Sequence, residues 1–243
     1  MILDKVLLIG ERMTPTNEYR PVSQATLRRL PMYFHLLNEL KGEGRDVVSC
    51  SHIGDALQLH PTQVRKDIEA TGVSGRPKVG YNLHELIEAI TSFLGWNNNK
   101  DAFLIGVGHL GSALLGYEQI ARCGTTILAG FDTDPAKVGT EVHGKPVFSL
   151  DKLTDLAWRM HVHLAIITVP ASAAQAVANV LVDSGIKAIW NFAPTSLQVP
   201  DGIIVQNEDF YAGLAVLSSR IEGLSANAGS LSDRLADALR EQQ

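Results

Sequence analysis

Apolar positions in the first hundred residues recur at helical spacing. From Ser23 onward, Leu27, Leu30, Phe34, Leu37 and Leu40 follow at intervals of three and four, which predicts one buried helix face. Pro31 lies inside this run, so the helix is expected to start at or just before it, and Gly42 and Gly44 to end it. A second short helix is expected from Ser51 to about Leu59, capped by Ser49 or Ser51, with Ile53, Ala56 and Leu57 inward. His60-Pro61 breaks the chain. Pro61 suits the first turn of a third helix reaching about Ala70, with Val64 and Ile68 inward and Gly72 as its stop. Ser74-Gly75-Arg76-Pro77-Lys78-Val79-Gly80-Tyr81 reads as a turn with two cations at its tip, followed by an amphipathic helix from Leu83 to about Leu94. Upstream, Leu3–Ile9 reads as a short strand or helix, and Pro15 and Pro21 as parts of a loose arm.

Beyond the polar linker Asn97-Asn98-Asn99-Lys100 the periodicity changes to short apolar strands alternating with helices. Strands are expected at Ala102–Ile105, Thr125–Phe131, His163–Val169, Ala188–Phe192 and Ile203–Val205. Helices are expected from the glycine turn to about Arg122 and over Ala171–Val182. Such alternation predicts an α/β domain, a parallel sheet with helices on both faces. A last helix is expected from Asp209 to about Ser225, with Leu214, Leu217 and Ile221 on one face, ahead of a polar tail over Ser230–Gln243. The domains expected are residues 1–98, 99–207 and 208–243.

The chain has 243 residues, enough for two small domains, and 45% hydrophobic residues, an ordinary globular mixture. Its apolar runs are far shorter than the roughly 18–20 residues that cross a bilayer. Asp4, Glu11 and Arg12 interrupt the only apolar stretch near the start, so no secretion signal is expected. Cys50 and Cys123 form no metal-ligand or redox spacing, and a cytoplasmic location is expected. The net charge of −5 argues at first against nucleic acid, but its distribution does not. Residues 1–98 carry 11 Lys+Arg against 11 Asp+Glu, so the deficit lies wholly in the remainder. From Arg20 to Asn38 stand Arg20, Arg28 and Arg29 with no carboxylate, either a phosphate-facing patch or a solvated face.

Two motifs carry chemistry. Gly106-Val107-Gly108-His109-Leu110-Gly111 follows a predicted strand, opens a predicted helix and precedes Asp132 by the spacing of a dinucleotide fingerprint. Gly106 would allow the tight turn, Gly108 the approach of a pyrophosphate, and Gly111 close helix–strand packing. The helix N-terminus would meet the diphosphate. Asp132 would accept from both ribose hydroxyls and repel a 2′-phosphate, favouring NAD(H); its alternative role is to cap a turn. Asp134 in the same turn is a further candidate cofactor contact. The second motif is the pair of helices around His52–Ala70 with the turn after it. In a helix–turn–helix the second helix enters the major groove. Gln63 and Arg65 are types that read base edges, Thr62 and Lys66 suit phosphates, and Arg76 and Lys78 sit where a wing would touch a neighbouring phosphate or the minor groove. A plain helical hairpin with a charged solvated face fits the same pattern.

Together, in this order, the motifs resemble the Rex redox-sensing repressors over roughly residues 22–222. The likeness is carried by Ala25-Thr26-Leu27-Arg28-Arg29-Leu30-Pro31-Met32-Tyr33, Gln63-Val64-Arg65-Lys66-Asp67 and Val79-Gly80-Tyr81. It continues through the glycine turn, Gly111-Ser112-Ala113-Leu114, Thr168-Val169-Pro170, Gly185-Ile186-Lys187, Asn191-Phe192-Ala193-Pro194 and Asp209-Phe210. The resemblance implies a winged helix joined to a Rossmann-like domain. It also implies a homodimer in which each subunit lends its C-terminal helix to the other, operator DNA as partner, and release when NADH binds. It implies that Thr168, Val169 and Pro170 line the cofactor crevice and that Tyr117, Asp209 and Phe210 lie near the nicotinamide. Two departures stand out. The wing reads Glu69-Ala70-Thr71-Gly72-Val73-Ser74-Gly75-Arg76-Pro77-Lys78 in place of an aromatic and glycine-rich sequence. His35 stands where some members couple an arginine to the aspartate matching Asp209.

The rival readings are an NAD-dependent dehydrogenase and a ligand-binding domain acting on a protein partner. A dehydrogenase needs a positioned acid or base and a substrate domain. His109, His161 and His163 are candidates by type only, and about 40 residues follow the Rossmann part. No catalytic residue and no metal site are expected.

Overall fold

The computed structural model describes residues 22–222, so the expected element near residues 3–9 and the tail from residue 230 lie outside the described residues. The chain divides between Gly95 and Trp96 into two compact units.

The first unit runs α1 (Gln24–Gly42), β1 (Val47–Val48), α2 (Cys50–Leu57), α3 (Pro61–Ala70), β2 (Tyr81–Asn82) and α4 (Leu83–Phe93). Helix α1 starts earlier than its proline suggests. Ser23 caps it by accepting from the Thr26 N–H, and Pro31 lies inside it. A mid-helix proline removes one backbone donor, but Leu30 and Tyr33 on either side of it are fully buried and hold the helix by packing. The buried face is also turned from the expected one. It consists of Thr26, Leu30, Tyr33, Leu37 and Leu40, while Leu27 is 40% exposed and Phe34 only partly buried. Two hydroxyl-bearing residues thus displace two apolar ones, for a reason found on α3.

Ser49 is the N-cap of α2, its side chain accepting from the His52 N–H. Ala56, expected inward, is exposed, and Gly54 is buried in its place. A Cβ at Gly54 would meet the Leu59 carbonyl oxygen at 2.6 Å, so the turn between α2 and α3 closes directly on this glycine. Strands β1 and β2 pair antiparallel, Val47 with Asn82 and Val48 with Tyr81. Between α3 and β2 the chain forms a wing. Arg76 and Gly80 exchange backbone hydrogen bonds of 2.7 and 3.0 Å, and Lys78 sits at the tip with φ 64°.

The second unit runs β3 (Lys100–Ile105), α5 (His109–Leu115), α6 (Gln119–Arg122), β4 (Thr125–Asp132), β5 (Glu141–Val142), β6 (Lys145–Ser149), α7 (Leu153–Met160), β7 (Leu164–Ile167), α8 (Ala171–Asp183), β8 (Ala188–Asn191), β9 (Ile204–Asn207) and a helix over residues 210–222, called α9. The sheet order is β5-β6-β4-β3-β7-β8-β9. All neighbours are parallel except β5, which folds back on β6 as a hairpin. This is the Rossmann-like order. It reverses at β3, with β4 on one side and β7 on the other, and so opens a crevice at the carboxyl ends of β3 and β7.

Alternate residues of the strands build two cores. Phe103, Ile105, Phe131, Ala165, Ile167 and Ile189 pack with α7 and α8 on one face. Ala102, Leu104, Ile127 and Ile166 pack with Leu115 and Ile120 on the other. The helix expected to run unbroken to Arg122 is split into α5 and α6 around Gly116-Tyr117-Glu118. There the His143 ring lies so close to Gly116 that a Cβ would meet it at 2.8 Å. The β5–β6 hairpin and α7 were not legible in the periodicity.

Candidate nucleotide and nucleic-acid sites

The turn from β3 into α5 is built around its glycines. Gly106 has φ 97°, and a Cβ there would meet Val169 Cγ1 at 2.7 Å. A Cβ at Gly111 would fall 2.0 Å from the Gly106 carbonyl oxygen, so α5 crosses the strand end in near backbone contact. Gly108 differs. Apart from its own chain neighbours, no protein atom lies within 4 Å of its Cβ position, and it provides no side-chain cap for α5. Its missing side chain therefore serves no internal packing and leaves the mouth of the turn open, which fits a cradle for a diphosphate.

Asp132 ends β4 beside this turn. Its Oδ2 accepts from the Val107 N–H at 2.8 Å and from Lys137 Nζ at 3.0 Å, and its Oδ1 accepts from the Asp134 N–H at 2.9 Å. Burial alone would raise this carboxyl. The bonds from Asp134, Lys137 and Val107 outweigh burial and hold it below the ordinary carboxylate range. These three bonds fill both acceptor positions of Oδ2 and one of Oδ1, so the carboxylate caps the turn and keeps room on Oδ1 for one ribose hydroxyl rather than the expected two. Lys137 is a partner that sequence reasoning missed. Asp134 caps its own turn through the Ala136 N–H.

Thr168, Val169 and Pro170 follow β7 across the same crevice. Thr168 Oγ1 donates to the Gly106 carbonyl at 2.7 Å and locks the glycine turn to the neighbouring strand end. Pro170 is the N-cap of α8. His109 and Leu110 lie in the exposed first turn of α5. Tyr117 lies in the break between α5 and α6, 57% exposed, beside a cavity of about 390 Å³ lined also by Ile120, Arg122, Ile127 and Lys145. Phe210 begins α9, its ring 6.0 Å from that of Phe192, which in turn lies 4.7 Å from Trp190. Asp209 Oδ1 caps α9 by accepting from the Tyr211 and Ala212 N–H groups. On α9, Leu214, Val216 and Leu217 are 59%, 53% and 57% exposed.

In the first unit Thr62, Arg65, Lys66, Arg76 and Lys78 are exposed, and Gln63 is half-buried. His60 caps α3, its Nδ1 accepting from the Thr62 N–H. Asp67 is 1% exposed and serves five donor atoms. Arg29 donates through Nε (2.6 Å) and Nη2 (2.9 Å), Tyr33 through its hydroxyl (2.7 Å), Thr26 through Oγ1 (3.0 Å) and Gln63 through Nε2 (3.0 Å). This network turns Thr26 and Tyr33 of α1 inward and fastens α3 to α1.

Two family models match. Residues 97–195 match the "CoA binding domain" and residues 21–68 the "Putative DNA-binding protein N-terminus". The redox-sensing transcriptional repressor Rex of Treponema denticola is 46% identical over 79% of this chain and 91% of its own length. The chain belongs to the Rex family. The Rex protein of Porphyromonas gingivalis is 40% identical over 84% of the chain and 93% of its own. Among solved structures, RSP in complex with beta-NAD+ and operator DNA matches with TM-score 0.79 and 31% identity, over 86% of this chain and 96% of that one. RSP in complex with beta-NADH matches with TM-score 0.77 and 31% identity, over 86% and 98%.

Against this Rex framework, the larger omission of sequence reasoning, beside Lys137, is the Asp67 network. The signal was present. Asp67 shares the inward face of α3 with Val64 and Ile68, and a carboxylate on an apolar stripe requires a cation and hydrogen-bond donors. Arg29, four residues before Tyr33 on α1, is that cation. His35 is exposed, with its ring 5.8 Å from that of Phe34.

Proposed function

We propose that this chain is a redox-responsive transcriptional repressor that holds operator DNA and releases it when NADH binds. The observation that carries the reading is the pairing, in a Rex-family chain, of an open-mouthed glycine turn beside an ionised Asp132 with a helix–turn–helix whose second helix exposes Thr62, Arg65 and Lys66.

In the second unit the backbone of Gly106, Val107, Gly108, His109, Leu110 and Gly111 cradles the diphosphate of NAD(H), and Asp132 accepts from the adenosine ribose, with Asp134 beside it. Thr168, Val169 and Pro170 line the crevice. Tyr117, Asp209 and Phe210 lie toward the nicotinamide. NADH and NAD⁺ differ by a hydride and one positive charge on that ring. A largely apolar pocket around Tyr117 and Phe210 disfavours the charged form by withholding water from it, and about 1.4 kcal/mol of such bias is tenfold in affinity. In the first unit Arg65 and Gln63 read bases, Thr62 and Lys66 hold phosphates, and Arg76 and Lys78 extend the contact through the wing.

The active species is a homodimer in which α9 is exchanged between subunits, which covers the apolar side chains of Leu214, Val216 and Leu217. Nucleotide binding shifts the population toward a dimer whose two recognition helices no longer fit successive major grooves. The chain works in the cytoplasm. It is a regulator rather than an enzyme. His161 and His163 precede β7 at the end of the sheet away from the crevice, and His109 is an exposed residue of the turn.

The test is competition. Labelled DNA from upstream of the protein's own gene is bound by the full chain and titrated with NADH and with NAD⁺. Release at much lower NADH than NAD⁺ is expected. Equal potency of the two, or no release, overturns the reading.

A further inference from the structure

Gln63 stands on the border between the two faces of α3. Val64, Asp67 and Ile68 are buried on one side, and Thr62, Arg65, Lys66 and Glu69 are exposed on the other. Its carboxamide is tied to Asp67, one turn further on, through Nε2 donating to Oδ1 at 3.0 Å. Asp67 faces donors on every side: the Arg29 guanidinium, the Tyr33 hydroxyl and the Thr26 hydroxyl. An ionised carboxylate only accepts. The amide of Gln63 therefore meets it with nitrogen; the reverse flip would set two acceptors against each other. With one N–H spent on Asp67, the amide keeps its oxygen and the second N–H for whatever lies outside the helix.

An acceptor beside a donor on one planar edge is the complement of adenine in the major groove, which offers its N6 amino donor and N7 acceptor. Guanine offers two acceptors there, thymine an acceptor and a methyl group, and cytosine a donor alone. Gln63 is the third residue of α3, and the N-terminal residues of a recognition helix are those that reach base edges.

We propose that Asp67 orients the amide of Gln63 to read an adenine, making Gln63 a specificity-determining residue at one A·T pair of each half-site and Asp67 its positioning residue. This rests on the DNA-reading role given to α3 above.

The experiment is selection from a randomised duplex pool by the full chain, followed by mobility shift on the selected site. Wild type is expected to enrich an A·T pair at one position per half-site, and Gln63→Ala to lose that preference while keeping the others. Replacing that adenine by 7-deazaadenine, which lacks the N7 acceptor, is expected to weaken wild type about tenfold and Gln63→Ala by less than about twofold. Gln63→Glu, which only accepts, moves the preference toward cytosine. Asp67→Asn, its fold verified by circular dichroism, relaxes the adenine preference. Where that variant does not fold, the deazaadenine comparison decides. Adenine selection unchanged in Gln63→Ala, or equal weakening of both proteins by 7-deazaadenine, overturns the inference and leaves the repressor reading intact. A wild-type chain that binds no duplex overturns both.

Discussion

Arg29 and Asp67, separated by 38 positions in the chain, meet in a two-pronged ion pair, Nε to Oδ2 at 2.6 Å and Nη2 to Oδ1 at 2.9 Å. One end lies on α1 and the other on the buried side of α3, so the pair fixes the angle at which the exposed side of α3 is presented. Removing either partner strands the other, and a stranded buried charge typically costs about 3–5 kcal/mol. Arg29→Ala is expected to lower the stability of the first unit by that order, read by chemical denaturation.

The same network sets a pH window. Burial would raise the Asp67 carboxyl, but the bonds from Arg29, Tyr33, Thr26 and Gln63 outweigh it and hold it low. Its contribution is therefore complete above the ordinary carboxylate value of about 3.9 and lost as pH falls through the depressed one. Tyr33 is shifted the opposite way, upward, by burial and by its bond to Asp67. Its contribution is complete below about pH 10 and lost as pH rises further. Denaturation midpoints across pH should show both limbs, and Tyr33→Phe should reduce the alkaline one to what Tyr81, also raised by burial, contributes.

The glycine turn offers a paired substitution. Gly111→Ala sets a Cβ 2.0 Å from the Gly106 carbonyl oxygen, whereas Gly108→Ala meets no protein atom within 4 Å apart from its own chain neighbours. Gly111→Ala is expected to lower the melting temperature and NADH affinity together. Gly108→Ala should leave melting unchanged and weaken NADH alone, by tenfold or more. Calorimetry and NADH fluorescence titration separate the two, and unaltered NADH binding by Gly108→Ala would contradict a diphosphate at that position.

Asp132 is held ionised by the Asp134 and Val107 N–H groups and by Lys137. NADH affinity should therefore show no titration from this carboxylate between about pH 5 and pH 8. Asp132→Asn is expected to weaken NADH about tenfold and NADPH less, narrowing the preference between them. Isothermal titration of both nucleotides checks it.

Lys66→Ala should weaken DNA binding uniformly across sequences and lower its salt dependence by about one counterion, with NADH binding unchanged. Joint loss of both would indicate misfolding instead.

Leu217, 57% exposed on α9, tests the exchanged dimer. Leu217→Asp should yield a folded monomer in analytical ultracentrifugation, with operator binding lost because one recognition helix cannot span two half-sites. A dimer as tight as wild type would place the subunit contact elsewhere.

Much of this protein is written locally. The glycine turn, its strand and Asp132 lie within about 30 residues, and β-α alternation follows from side-chain period, so the parallel sheet and the two helices around His60-Pro61 were legible without coordinates. What periodicity could not supply was rotation and rupture. The pattern of leucines on α1 pointed Leu27 and Phe34 inward. The buried face instead carries Thr26 and Tyr33, because a carboxylate on another helix demands their hydroxyls. Pro31 marked a helix start by sequence and lies mid-helix because packing on both sides outweighs one lost hydrogen bond. Gly116, at the break, lies against the ring of His143, in a hairpin later in the chain, a neighbour that local sequence does not reveal. Properties carried by one segment are determined by its own residues. The turn of a helix about its axis, and the partner of a buried charge, are decided only when distant segments compete for the same donors and the same space.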